Sequence, residues 1–267
     1  MKNYRWLILL LAMPTALWAE SEDFWVLTNL EPPFSQADKK GKLSGYAIEL
    51  VENILRTAGV KQRILAAPWE RVLKEGRDKA NVLVFAVART AEREQDFHWI
   101  TPITANVYGI YALGSRHQPI SKLEALADFG SIAVLENDFR QDMMAQLGYI
   151  KIAPYGSWAD GIQALLNSQT EGLFFSDGGV EYLCKRHSWD CTGIHRVFTY
   201  QTVTTYLVMS KVKSQAGLVG LLTKAASTYK QSDDFQRLSK SWLARYRKNA
   251  EISMHEQDGV INLWSEE

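Results

Sequence analysis

The most continuous hydrophobic signal lies at residues 81–87, where six of seven residues are apolar and three are valine. A short β-branched run of this kind predicts a strand buried on both faces, as in a parallel sheet. Upstream, residues 24–28 predict an opening strand, which Pro32 and Pro33 stop by removing backbone donors. Residues 39–43 form a polar turn around Gly41. Ala47, Leu50, Val51, Ile54, Leu55 and Ala58 then recur at helical spacing, with Ser44 as the expected cap and Gly59 as the stop. Residues 62–66 return as a strand, and Pro68 opens a short helix at a position that tolerates proline. This β-α-β-α-β order predicts a parallel sheet with right-handed crossovers.

A second unit repeats the pattern. Residues 107–113 form another apolar strand that leads into a polar segment from Gly114 to Pro119. Residues 131–135 predict a strand and 139–147 a helix closed by Gly148. Ser157 and Asp160 resemble a capping box before the helix that carries Ile162, Leu165 and Leu166. Residues 171–176 read as a strand, with Asp177-Gly178-Gly179 as its exit turn. Residues 195–205 are mixed and 206–210 read as a strand. Two amphipathic helices close the pattern, one carrying Leu218, Leu221, Leu222, Ala225 and Tyr229, the other Phe235, Leu238, Trp242 and Tyr246. The tail from Ala250 is polar and predicts no structure. Two such βα units joined by polar crossings suggest two lobes with a cleft between them.

Composition narrows the class. At 267 residues, the chain suits two lobes of ordinary domain size, and 46% hydrophobic with 22% charged residues describes a folded globular protein. The 30 basic and 30 acidic residues balance, and no basic block marks a nucleic-acid partner. Lys2 and Arg5, an apolar run over residues 6–13 and a breaker at Pro14 predict a secretory signal peptide cleaved after Ala19. That run is far shorter than the roughly 20 residues of a membrane anchor. Loss of Lys2 and Arg5 leaves 28 basic against 30 acidic residues, a net charge of −2. The expected location is an oxidising exported compartment, most simply a bacterial periplasm. There, the two cysteines, Cys184 and Cys191, are expected to form a disulfide pinning a surface loop. The alternative is a metal site with His187 and His195. No cofactor or metal is otherwise called for.

The chemistry concentrates after the central strand. Arg89, Thr90, Glu92, Arg93 and Glu94 stand at its carboxyl end, followed by Phe97-His98-Trp99. Ligands of open α/β sheets bind just outside strand carboxyl ends, and a guanidinium offers a carboxylate a planar fork of donors. The alternative is a solvated loop whose Arg and Glu residues pair with one another.

Pro-Pro-Phe after the first strand, Gly45-Tyr46 at the first helix, Thr90-Ala91-Glu92-Arg93 with Phe97 and Thr101-Pro102, and Phe174-Phe175-Ser176-Asp177 occur in one order. That order resembles the family 3 extracellular solute-binding proteins, the periplasmic polar-amino-acid receptors of ABC importers. The resemblance implies an α/β, two-lobed type II periplasmic-binding fold, hinged, with the ligand cleft between the lobes. After the signal peptide 1–19, the first lobe would comprise residues 20–113 and 204–249 and the second 114–203, followed by a tail at 250–267. Arg93 would clamp a ligand α-carboxylate, and Asp177 would take the ligand ammonium or else cap a helix. Glu31 stands where many relatives place a stacking aromatic. Glu136-Asn137-Asp138 replaces the family's Gly-Ser/Thr turn, and an Asp there would satisfy the helix amides and repel a carboxylate.

Other residues complete the expected site. Trp69 could stack on a flat or cationic ligand or pack in the core, and Arg71 stands beside it. Phe34 belongs to the Pro-Pro-Phe element. Arg89 would be a second anion donor or a partner of Glu92 or Glu94, and Tyr108 would line the hinge or pack within its strand. The implied function is capture, without catalysis, of a small charged or zwitterionic solute, an amino acid or related compound, by a monomer. Its partner would be an ABC permease or a membrane sensor. The competing reading is a periplasmic dehydratase or lyase on the same scaffold, for which Glu31 and Asp177 would offer acid–base groups.

Overall fold

The structure, a computed structural model, describes residues 24–148, 151–250 and 255–262. The expected signal peptide, residues 1–19, lies outside the described residues. In chain order, the first half contains β1 (Trp25–Thr28), β2 (Gln36–Ala37), β3 (Leu43–Ser44), α1 (Tyr46–Thr57), β4 (Ile64–Ala66), α2 (Trp69–Asp78), β5 (Val82–Ala88) and β6 (Phe97–Leu113). The middle contains β7 (Ile132–Leu135), α3 (Phe139–Gln146), β8 (Ile152–Tyr155), α4 (Trp158–Leu166), β9 (Gly172–Ser176) and α5 (Asp177–His187). The chain returns through β10 (Ile194–Ser210), α6 (Ala216–Lys230), α7 (Asp233–Ala250), β11 (His255–Gln257) and β12 (Val260–Asn262).

Ten of these strands form one sheet whose main path runs β4-β1-β5-β10-β6-β9-β7-β8, with the β11–β12 hairpin attached to β6. The ends of this path are two parallel βα units: β1 pairs in parallel with β4 and β5, and β7 with β8 and β9. Between them, β6 and β10 pair antiparallel along their whole length, from Ile194 opposite Leu113 to Ser210 opposite Phe97. This ribbon joins the first lobe, with β1, β4 and β5, to the second, with β7, β8 and β9.

Both lobes bury the apolar faces that their sequence periodicity marks. In the first, Leu50, Val51, Ile54 and Leu55 of α1 pack with Leu222 and Ala225 of α6 and Phe235 and Trp242 of α7 over Leu83 and Phe85 of β5. A second buried cluster holds residues of both lobes, including Leu27, Trp69 and Val84 from the first and Leu135, Trp158 and Phe175 from the second. No helix among the described residues is long and apolar enough to cross a membrane.

Several expectations require correction. Ser44 is not the cap of α1: it lies in β3, and Gly45 holds the cap position at φ 126°. The reason is crowding, since a Cβ on Gly45 would sit 2.0 Å from the Phe34 carbonyl oxygen, which accepts the Ala47 amide at 3.1 Å. Phe97-His98-Trp99, to which the sequence assigned no element, is part of a strand. It opens β6, and residues 107–113 are only that strand's far half. Likewise, residues 195–205 are not mixed but belong to β10, whose period is broken by register shifts such as those between Arg196 and Phe198 and between Thr199 and Gln201. Asp177-Gly178-Gly179 is the first turn of α5, not an exit turn. The polar tail carries the β11–β12 hairpin, whose Ile261 pairs with Thr104 and is fully buried.

Cys184 and Cys191 are joined by a disulfide, with Cα atoms 6.1 Å apart. Cys184 belongs to α5, so the bond ties a helix to the segment that follows it, rather than closing a loop alone. Ser157 caps α4 as its sequence suggests, accepting the Asp160 amide at 3.2 Å and donating to the Asp160 carboxylate at 2.6 Å.

Candidate functional site

The carboxyl end of β5 and the amino end of α3 meet at a cavity of about 10 Å³, room for about one water molecule. Its walls come from the loop after β1 (Asn29, Glu31), α2 (Trp69), β5 (Ala86, Ala88), the short turn with Arg93, β6 (Tyr108), and Asp138, Phe139 and Arg140 at the start of α3. The first-lobe walls follow from local structure. Pro68 starts α2 so that Trp69 is its first residue, and a bulge in β5 holds Ala86 at φ 66°. Left-handed backbone is costly for a residue with a Cβ, and such strain clusters at functional sites.

Arg93 is buried, 4% exposed, yet the only hydrogen bond its guanidinium makes among the described residues is a long one, 3.4 Å from Nη1 to the Ala88 carbonyl. No carboxylate pairs with it among the described residues. Its guanidinium lies 5.2 Å from the centre of the Trp69 ring and 5.9 Å from that of Phe139. Burial pushes its pKa below the ordinary arginine value, and Asp138 opposes that shift. A cation taken out of water with so little compensation is the arrangement that an incoming anion would stabilise.

Arg140 stands on the second-lobe side and is 1% exposed. Asp138 caps α3 by accepting the Arg140 amide at 3.1 Å, and the same oxygen accepts Arg140 Nε at 2.5 Å. The guanidinium lies 4.5 Å from the centre of Tyr108, 5.0 Å from Phe139 and 4.2 Å from Trp158. Arg140 Nη2 is 3.9 Å from Glu31 Oε1, whereas Nη1 has no hydrogen-bond partner among the described residues. Burial works against this charge, but Asp138, Tyr108 and Glu31 together hold the Arg140 pKa above its ordinary value. Glu31 accepts the Tyr108 hydroxyl at 3.2 Å, and Asn106 donates to that hydroxyl at 3.3 Å. Burial raises the Glu31 pKa, partly offset by Arg140.

The expected site residues therefore divide. Glu31, Trp69, Arg93 and Tyr108 line one cavity, and Trp69 both packs in the core and faces Arg93. Arg89 is exposed and forms a two-point bridge to Glu94 at 2.6 and 2.9 Å, above the rings of Trp99 and Tyr206. Arg71 is exposed and outside the cavity, and Phe34 packs edge-on against Tyr246 in the first-lobe core. Asp177 does not line the cavity that holds Arg93. It bonds Arg196 and lines a separate groove of about 890 Å³ beside the disulfide. Burial raises its pKa, and Arg196 opposes the shift.

Asp138 does satisfy a helix amide, but Arg140 offsets the charge that was expected to repel a carboxylate. Arg140 itself was missed. Its one sequence signal is the Asp138-Phe139-Arg140 order, a cap acceptor with a guanidinium two residues beyond it. Further contacts cross the cleft. Tyr182 and Arg186 of α5 both donate to the Gln36 side-chain oxygen, Arg186 at 2.8 Å, and Arg186 also donates to the Ala37 carbonyl at 3.0 Å. Asn137 donates to Glu70 at 3.3 Å. No group of metal-ligating side chains occurs among the described residues.

Several solved structures share this fold. A histidine kinase sensor domain with similarity to periplasmic binding proteins superposes with a TM-score of 0.72 at 16% identity, covering 82% of this chain and 96% of that one. The arginine-, lysine-, histidine-binding protein ArtJ of Geobacillus stearothermophilus gives 0.69 at 17%, covering 85% and 99%. The ancestral amino acid-binding protein AncCDT-1, a precursor of cyclohexadienyl dehydratase, gives 0.67 at 17%, covering 82% and 94%. No curated protein matches the chain in sequence. The model of the bacterial extracellular solute-binding proteins, family 3, matches residues 25–245, nearly the whole described length. With the two lobes, the ribbon between them and the charged cavity where they meet, the chain belongs to the family 3 extracellular solute-binding proteins.

Proposed function

We propose that this protein is a periplasmic receptor that captures a small charged or zwitterionic solute, an amino acid or related compound, between its lobes and carries no catalysis. The observation that carries this reading is Arg93, a buried guanidinium without a carboxylate partner among the described residues, in a cavity that the second lobe closes. An anion that pairs with Arg93 would bind the closed form better than the open one, and that differential affinity is what drives closure. The contacts of Arg186 and Asn137 across the cleft hold the closed lobes together. The closed form would then be presented to an ABC importer. A membrane sensor is the alternative partner, and likeness to a sensor domain supports it.

A thermal-shift screen of protein beginning at Glu20, against amino acids, polyamines and small organic acids, tests the receptor reading. A ligand bound only by the folded form raises the melting temperature with concentration, and silence from every class would overturn the proposal. The buried acid Glu31 favours one competing reading, an enzyme on this scaffold with Glu31 as proton donor or acceptor. Chemical turnover of a ligand found in the screen would establish that reading instead.

A further inference from the structure

The receptor reading leaves the class of ligand open, and the second-lobe wall of the cavity narrows it. Three aromatic rings, Tyr108, Phe139 and Trp158, surround a guanidinium there, an arrangement suited to a cationic ligand. The guanidinium is the chain's own. Arg140 is held by Asp138 of its own lobe, and Phe139 and Trp158 belong to that lobe too, so separation of the lobes does not empty the cage. A ligand cation meets an occupied place.

Arg140 also adds donors to the cavity. Its Nε is taken by Asp138, but Nη1 is buried without a hydrogen-bond partner among the described residues, and Arg140 lines the same cavity as Arg93. The two guanidinium groups flank one ring, at 5.9 and 5.0 Å from the centre of Phe139. When the lobes close, a positive charge from each is brought into a small, buried space. Asp138 offsets Arg140, while nothing among the described residues pairs with Arg93. Glu31 is the remaining carboxylate in the walls, and it accepts the Tyr108 hydroxyl. The cavity of about 10 Å³ has room for little more than a water, so the lobes must part to admit a ligand; a carboxylate then held between Arg93 Nη atoms and Arg140 Nη1 would supply both missing acceptors.

Resting on the receptor reading, we propose that the cleft selects a small carboxylic acid of net negative charge, gripped from the first lobe by Arg93 and from the second by Arg140. Arg140 replaces the donors that Asp138 withdraws by capping α3, and it excludes ligands whose side chain is a cation.

Titration calorimetry with L-glutamate, succinate, L-arginine and L-lysine tests this, with Trp69 and Trp158 fluorescence as a second readout. The expected result is binding of at least one of the two acids and of neither cationic amino acid. Arg140→Gln should weaken acid binding about thirtyfold or more, as loss of one member of a buried charged contact does. Because that variant leaves Asp138 buried without its partner, the charge-balanced double variant Asp138→Asn, Arg140→Gln is measured beside it, and Asn keeps the helix cap. Binding of L-arginine or L-lysine in place of the acids would overturn the inference and leave the receptor reading standing. Unchanged acid affinity in the folded double variant would remove Arg140 from the grip and overturn it as well. An absence of binding here and throughout the broad screen would overturn the receptor reading itself.

Discussion

One carboxylate oxygen of Asp138 accepts from Arg140 twice, at its backbone amide and at Nε. The pair is thus a helix cap and a buried ion pair at once, and the two roles can be separated. Asp138→Asn preserves the cap but removes the charge, and should cost about 3 kcal/mol, the lower range for breaking a buried pair. Asp138→Ala should cost about 1 kcal/mol more through loss of the cap. Urea unfolding of the two variants checks both steps, and equal losses would contradict the division.

Arg93 predicts the opposite balance. Its guanidinium is buried beside Trp69 and Phe139 with a single long hydrogen bond among the described residues, so its charge adds little to the fold. Arg93→Met should abolish binding of any carboxylate ligand and raise stability by about 0.5–2 kcal/mol, as removal of functional strain often does. Paired melting and titration experiments check this, and a destabilised variant that still binds would contradict both halves.

Arg186 lies outside the cavity, yet joins α5 to Gln36 and Ala37 of the opposite lobe. Arg186→Ala should leave the ligand contacts intact but reduce the closed population, lowering apparent affinity by up to about tenfold. Titration should register that loss for every ligand alike. A change in ligand preference would place Arg186 in recognition instead.

Burial raises the Glu31 pKa above its ordinary value near 4.5, against the pull of Arg140. The folded state therefore holds this proton more tightly than the unfolded chain. The resulting stabilisation is complete below pH 4.5 and is lost as pH rises through the raised value. Relative to Glu31→Gln, the wild type should lose stability across that window. Urea midpoints of both proteins from about pH 4 to about pH 8 check it, and a constant difference would contradict the shift.

The sequence showed most clearly what depends on local periodicity. The apolar run of β5, the stripe of α1 and the Ser157 cap of α4 each place neighbouring residues without help from distant ones. Glu31, Trp69 and Arg93 could be expected near one another because each follows a recognisable strand, β1, β4 and β5 in turn, whereas Tyr108 lies inside β6 and its sequence left packing within the strand equally open. What stayed hidden depends on partners far along the chain. The length of β6 and β10 comes from their pairing with each other, which carries Pro102 and several register shifts inside a strand. Arg140 looks like an ordinary charged residue in a short helix, and its burial depends on Trp158 and Tyr108 from other elements. Asp177 faces Arg196 because α5 begins at once, without the turn that the two glycines suggested.

The ribbon of β6 and β10 also governs the order in which the chain can fold. Val84 of β5 pairs with Val208 of β10, more than a hundred positions later. Until that late segment arrives, β5 presents an unpaired edge, and closing so long a loop is slow. The second lobe has no such wait among its own strands, since β7, β8 and β9 all lie between Ile132 and Ser176. It is the half able to condense first, and the first lobe is completed around it by the end of the chain.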